Sequence, residues 1–174
     1  MVYIISLIVA IVLLALDLVT KYLAVSNNFD FVVIPELLKF ELTYNTGAAF
    51  SFLGEYKWSM PLFIALTICV LLFIVGYYVF TMVKKRKMHM WLGISLAMSF
   101  SGALGNMIDR LALGKVRDFI YAFYNTDIFP AIFNVADIAL VVGLIMIIIY
   151  LLFLDKEAVF KKGNKQKEDG ENKG

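Results

Sequence analysis

The chain has 174 residues, of which 61% are hydrophobic and only 17% charged, with a mean hydropathy of +0.83 and a formal net charge of +2. A soluble domain keeps its apolar share nearer about half. The composition therefore excludes an ordinary soluble globular protein and indicates a membrane protein.

Crossing a bilayer takes about 20 mostly apolar residues in a helix. Four stretches qualify, predicted at Val2 to Val25, Trp58 to Val83, Met90 to Ile108 and Ile132 to Leu154. The first has the greasy run of a secretory leader, but it lacks a basic start and carries Asp17 and Lys21, so it reads as a retained span. The run "KKRKMH" between the second and third spans and the lysine-rich tail after Leu154 predict that both face the cytoplasm, with both termini inside. The tail, 155–174, is polar and without helical period, and is expected to be disordered.

Between the first two spans, residues 26–57 include "LKFELTYNTGAAFSFLGEYKW". Phe40, Leu42 and Tyr44 alternate with Glu41 and Thr43, the period of a half-exposed strand. Asn45, Thr46 and Gly47 are expected to turn the chain, and the aromatic stretch beyond suits the membrane interface. A folded flap is the expectation for this segment. Cys69, alone in the second span, reads as a small packing residue, and His89, beside the basic run, as a solvated interfacial side chain. In the third span Ala97, Ser101 and Gly105 form a small-residue face that lets another helix approach closely, and Gly102 lies one turn before Asn106.

A rise of about 1.5 Å per residue places the polar groups in depth. Asp17 lies about 24 Å along the outward-going first helix, with Lys21 one turn further on the same face. Asn106, Asp109 and Arg110 end the outward-going third span, while Asn134 and Asp137 begin the inward-going fourth. All seven fall at about one level, near the outer surface. Ionisable groups in a span cost at least about 2.5 kcal/mol each at the bilayer centre and less near an end, so they normally face a cavity or a partner.

Asp17 with Lys21, and Asp109 with Arg110, are expected to form ion pairs that lock helices together. Asn106 and Asn134 serve equally to bridge helices or to hold a ligand backbone. Asp118 and Asp137 differ, because neither has a dedicated cation: Arg117 adjoins Asp118, but neighbours on an extended chain point to opposite faces. Two carboxylates brought close cannot both ionise cheaply, so one retains a proton while the other acts as base. Such a pair can activate water and protonate a leaving amine, which is peptide hydrolysis without a metal. One histidine and one cysteine supply neither a zinc site nor a Cys/His pair, and no glycine-rich loop forms a phosphate cradle. A proton-coupled transporter using Asp17, Asp109 and Asp137 as relays is the rival reading, set back by their position near one surface. A non-catalytic assembly factor is a third.

Five blocks carry a resemblance: "DLVTKY" at 17–22, "NTGAAFS" at 45–51, "SGALGNMIDR" at 101–110, "VRDFI" at 116–120 and "FNVAD" at 133–137. In this order and spacing the chain, except its tail, resembles bacterial lipoprotein signal peptidase, or signal peptidase II. The resemblance implies four transmembrane helices with a small extracytoplasmic β-cradle and an interfacial helix, as one domain over 1–154 with the cradle in 26–57. It implies an aspartic endopeptidase of the bacterial cytoplasmic membrane, active near the extracytoplasmic face, that removes the signal peptide from diacylglyceryl-modified prolipoproteins just before the lipidated cysteine. By motif position Asp118 and Asp137 would be the catalytic dyad. Asp17, Lys21, Asn45, Gly47, Asn106, Asp109, Arg110, Asn134 and Ala136 fall on the family's other signature positions. The implied partners are prolipoproteins and membrane lipid, not nucleic acid; no cofactor and no metal are expected, and the expected state is a monomer. Two departures stand out. Ser101 replaces a glycine, and Arg117 stands where the family often has an apolar residue; its side chain is expected to point outward.

Overall fold

The protein is described from a computed structural model over residues 1–46, 59–126 and 130–154. Gly47, the interfacial stretch that follows it and the tail at 155–174 lie outside the described residues. The chain runs α1 (Val2–Ser26), β1 (Asp30–Ile34), β2 (Leu38–Asn45), α2 (Ser59–Val83), α3 (Met90–Leu113), β3 (Val116–Ala122), β4 (Ala131–Phe133) and α4 (Val135–Ile149), ending in a π-helical turn at Tyr150–Leu154.

All four predicted spans are present as helices long and apolar enough to cross a membrane. Their hydropathies explain their placement. α1, α2 and the α4 span average 2.9, 2.6 and 2.8, whereas α3 averages only 1.3. A helix facing lipid must be apolar, while one walled in by protein need not be. α3 is accordingly the central helix, packed against α1, α2 and α4.

Small residues make that packing possible. Ala97, Ser101 and Gly105 are all buried, as the spacing predicts. A Cβ on Gly105 would lie 2.5 Å from Asp17 Oδ2 and 3.2 Å from the Ala136 Cβ, and one on Gly102 would meet the Ala136 carbonyl and sit 2.7 Å from the Leu140 nitrogen. From the other side, a Cβ on Gly143 would lie 2.5 Å from Ser99 Oγ. α3 and α4 thus approach backbone to backbone, and α1 closes on them where Gly105 leaves room for a carboxylate. Cys69 departs from the expectation above: it is exposed on α2 rather than packed inside. His89 is exposed, and its Nδ1 accepts the Trp91 N–H, which caps α3.

The four strands form one antiparallel sheet in the order β1-β2-β3-β4. The predicted strand over Phe40 to Tyr44 is β2, but it runs on through Asn45, which pairs with Val116 instead of opening a turn. Half of the sheet comes from the chain between α3 and α4, a segment expected to be extended but given no strands above. α3 itself continues to Leu113, five residues beyond the predicted end, so Asp109 and Arg110 lie within it. It stops at Gly114, whose φ of 67° is open to glycine and whose N–H closes onto the Arg110 carbonyl. That stop feeds the chain directly into β3.

Phe119 of β3, 2% exposed, anchors the sheet to the helix end. Its ring stacks on Phe40 and meets Phe29 edge-on, with centroids 6.3 and 6.1 Å apart. With Phe119 turned one way, Asp118 must face the other.

Candidate active site

The polar layer expected from helix depth exists, and it divides into two parts. The first is a buried charge cluster at the junction of α1, α3 and α4. Lys21 is 0% exposed; its Nζ lies 2.9 Å from Asp17 Oδ2 and 3.4 Å from Asp109 Oδ2, and donates to Asn106 Oδ1 at 3.0 Å. Of these three contacts only the one to Asn106 has hydrogen-bond geometry; Asp17 and Asp109 are held as ion pairs. Asp17 Oδ1 accepts the Ala136 N–H at 2.9 Å, placing a carboxylate on the first turn of α4, where the helix dipole favours it.

The expected Asp109–Arg110 pair does not form. Residues adjacent on a helix point about 100° apart. Asp109 turns inward to Lys21 and receives Arg117, whose backbone N–H donates at 3.0 Å and whose Nε donates at 3.2 Å. The outward course expected for Arg117 is therefore wrong: its guanidinium folds back over the end of α3. Hydrogen bonding to Asp109 raises the Arg117 pKa further above its ordinary value. Arg110 instead lays its guanidinium over the Phe63 ring, 5.5 Å from the centroid, within electrostatic range of Asp137, Asp118 and Asp109.

The second part is an amide scaffold carrying two carboxylates. Asn134 caps α4 in a reciprocal box: its Oδ1 accepts the Asp137 N–H at 3.0 Å, and its own N–H donates to Asp137 Oδ2 at 3.1 Å. Asp137 thus has a structural reason to stand at the start of a greasy helix, independent of any chemistry. Its other oxygen, Oδ1, accepts from Asn106 Nδ2 at 2.7 Å. Asn134 Nδ2 donates to Asp118 Oδ1 at 2.7 Å, to Asn106 Oδ1 at 3.1 Å and to the Arg117 carbonyl at 3.2 Å. Asn45 Nδ2 completes the set by donating to Asp118 Oδ2 at 3.0 Å. Asn106 and Asn134 therefore bridge helices, and through them Asp118 and Asp137 hang on one amide network with neutral donors as direct partners.

Burial first, and then the Asp137 charge, push the Asp118 carboxyl up from 3.8 to about 6. Below that pH the acid is neutral, and it ionises as pH rises. A protonated-carboxyl infrared band that disappears as pH rises through about 6, and is missing from Asp118→Asn, is the expected result. A band that never titrates between pH 4 and 8 would contradict it.

Beside Asp118 opens a cavity of about 250 Å³ lined by Thr43, Tyr44, Asn45, Tyr121, Pro130 and Ile132. Thr43 enters because a break in the β2–β3 register sets it opposite Asp118. Neither Thr43 nor Tyr121 stood out in the sequence; pairing "VRDFI" with "ELTYN" as strands was the available signal. A larger groove of about 450 Å³ lies between α1 and α2 over Ala97 and Phe100, but no carboxylate lines it.

Four membrane-length helices, a sheet across the ends of α1 and α3, and two amide-held carboxylates, of which Asp118 borders a cavity, are an arrangement that fits a polytopic membrane peptidase of the aspartic class. The comparisons agree. Residues 9–153 match the family described as signal peptidase (SPase) II. The chain is 37% identical over 153 residues to the lipoprotein signal peptidase of Acinetobacter baylyi, covering 86% of this chain and 83% of that one. It is 42% identical over 147 residues to that of Coxiella burnetii, covering 82% and 86%. A solved bacterial membrane enzyme, determined by the in meso method at 2.3 Å, superposes with a TM-score of 0.71 at 34% identity, covering 88% of this chain and 93% of that one. The chain belongs to the signal peptidase II family.

Proposed function

We propose that the protein removes the signal peptide from diacylglyceryl-modified prolipoproteins, cutting before the lipidated cysteine, with Asp118 and Asp137 as its catalytic pair. The observation that carries the assignment is their convergence on Asn134, one carboxyl taking its side-chain amide and the other its backbone N–H. Each acid keeps its place through neutral donors, so a proton can be gained or lost without breaking an ion pair.

The chemistry follows from two acids holding one proton. The ionised aspartate takes a proton from water as the water oxygen bonds to the scissile carbonyl carbon, and the protonated aspartate hydrogen-bonds the carbonyl oxygen as charge builds there. Collapse of the tetrahedral intermediate breaks the C–N bond. The cysteine nitrogen leaves with a proton from the pair, and the signal peptide leaves as an acid. The two aspartates titrate as a unit.

Asn45 and Arg110 would meet the substrate near the dyad, while Asp17, Lys21, Asn106, Asp109 and Ala136 would hold the helices that carry it; Gly47 by its motif belongs with Asn45. The substrate's signal segment would enter sideways from the bilayer with its lipid chains still in the membrane. This reading takes residues 1–154 as one monomeric unit in the bacterial cytoplasmic membrane. Both termini and the tail at 155–174 would face the cytoplasm, and the site the opposite side; the basic run at 84–87 supports this orientation.

Purified protein in detergent is expected to cleave a diacylglyceryl-modified prolipoprotein peptide, to leave the unlipidated peptide intact and to be indifferent to a chelator. Equal cleavage of the unlipidated peptide would overturn the substrate assignment. Loss of activity in chelator, restored by a divalent ion, would overturn the aspartic mechanism.

A further inference from the structure

Arg117 is the residue before Asp118, and three different contacts fix it. Its N–H donates to Asp109 Oδ2 on α3, its carbonyl accepts from Asn134 Nδ2 at the start of α4, and its guanidinium closes on both oxygens of Asp109. The two backbone contacts fasten the peptide units on either side of Arg117 to two different helices, and the second of these units leads into Asp118. The side chain is 18% exposed, while the Asp109 it clamps is fully buried.

Behind the amide scaffold lie two buried carboxylates, Asp17 and Asp109, and one buried ammonium, Lys21. On their own these carry a net −1 in a region where unpaired charge is costly. Arg117 brings the cluster to zero. The charged groups facing Asp118 itself are Asp137 from α4, Lys21 from α1 and Arg110 from α3; β2 presents the neutral Asn45.

We infer that Arg117 is a positioning residue that pins the strand carrying Asp118 between α3 and α4 and neutralises the buried Asp17–Asp109 pair behind the candidate dyad. The inference rests on the assignment of Asp118 and Asp137 as catalytic. Removing the guanidinium leaves a −1 cluster behind Asp118, which disfavours a further carboxylate there, so Asp118 holds its proton to higher pH. It also frees the strand to shift, which lowers kcat more than it raises KM, because the acid and not the substrate pocket is displaced.

The test compares Arg117→Gln and Arg117→Lys with wild type in detergent, reading the infrared titration of the Asp118 carboxyl, kcat and KM on lipidated peptide, and thermal midpoint. For Gln, the infrared midpoint is expected to move upward and kcat to fall about tenfold with KM within about twofold. For Lys, which restores charge but not the two-pronged fork, the midpoint is expected to return while kcat recovers only in part. A Gln variant with unchanged infrared midpoint and unchanged kcat, differing only in thermal midpoint, would overturn the inference and leave a purely structural clamp. Turnover retained by Asp118→Asn would overturn the dyad and this inference with it, and that outcome is distinct because it needs no change at Arg117.

Discussion

Asp118→Asn and Asp137→Asn are each expected to lower kcat/KM on lipidated peptide by about 100- to 10,000-fold or more, the usual contribution of a positioned acid or base. The substitution keeps the shape of the side chain and one acceptor oxygen but removes the exchangeable proton. For Asp118 two effects oppose: both of its oxygens accept side-chain amides, from Asn134 and Asn45, so Asn turns a donor toward one of them at about 1–3 kcal/mol, while the neutral amide escapes the cost of a buried charge. Its carboxyl is raised from 3.8 to about 6 in the folded protein, so the stability it contributes is fully present below 3.8 and is lost as pH rises through about 6. At pH 8 the wild type has forfeited an amount of order 3 kcal/mol that the Asn variant keeps. A dead enzyme whose unfolding midpoint at pH 8 equals or exceeds wild type is the result that separates chemistry from architecture here. For Asp137 the expectation differs, because its carboxylate also closes the capping box of α4 and takes the Asn106 amide. Asn can retain the first contact but turns a donor toward a donor in the second, so a modest loss of stability should accompany the loss of turnover. Full activity in either variant would sink the assignment.

Lys21→Met is expected to be the most destabilising single change in the described polar layer, at about 3–5 kcal/mol, the usual cost of breaking a buried ion pair from one side. Lys21 is 0% exposed and its partners Asp17 and Asp109 are 1% and 0% exposed. Methionine fills the volume but leaves Asp17 Oδ2 without its cation, and Asp17 is the group that ties α1 to the Ala136 N–H of α4. Asp109 keeps Arg117 and should suffer less. Denaturant titration in detergent measures the effect. Lys39→Met is the control, since Lys39 of β2 bridges Asp30 of β1 and Glu41, whose carboxylates are 66% and 38% exposed, so solvent screens the pairs and the midpoint should barely move. Equal behaviour of the two variants would show that the buried cluster is not what holds α1 to its neighbours.

Much of the site was legible because a membrane simplifies the reading. Hydropathy alone marked four spans, and a fixed rise per residue set Asp17, Lys21, Asn106, Asp109, Arg110, Asn134 and Asp137 at one depth before any fold was known. The small-residue face of α3 followed from spacing, and it packs as expected. The capping role of Asp137 is written in "NVAD", which places an acid three residues after an asparagine at a helix start.

Composition and periodicity along a single helix are enough to give the four membrane-length helices among the described residues, the level of the polar layer and the two acids that lack cations. Which group pairs with which depends on the folded arrangement. Asp109 chose Lys21 from another helix and Arg117 from a strand over its neighbour Arg110, because adjacent helical residues diverge while a glycine stop at 114 folds β3 back across the helix end. The second half of the sheet, the placement of Thr43 and Tyr121 beside Asp118, and the meeting of both carboxyls on Asn134 likewise required β2, β3 and α4 to come together. Contacts between residues far apart in the chain are fixed by packing in three dimensions, and a one-dimensional period cannot encode which partner wins.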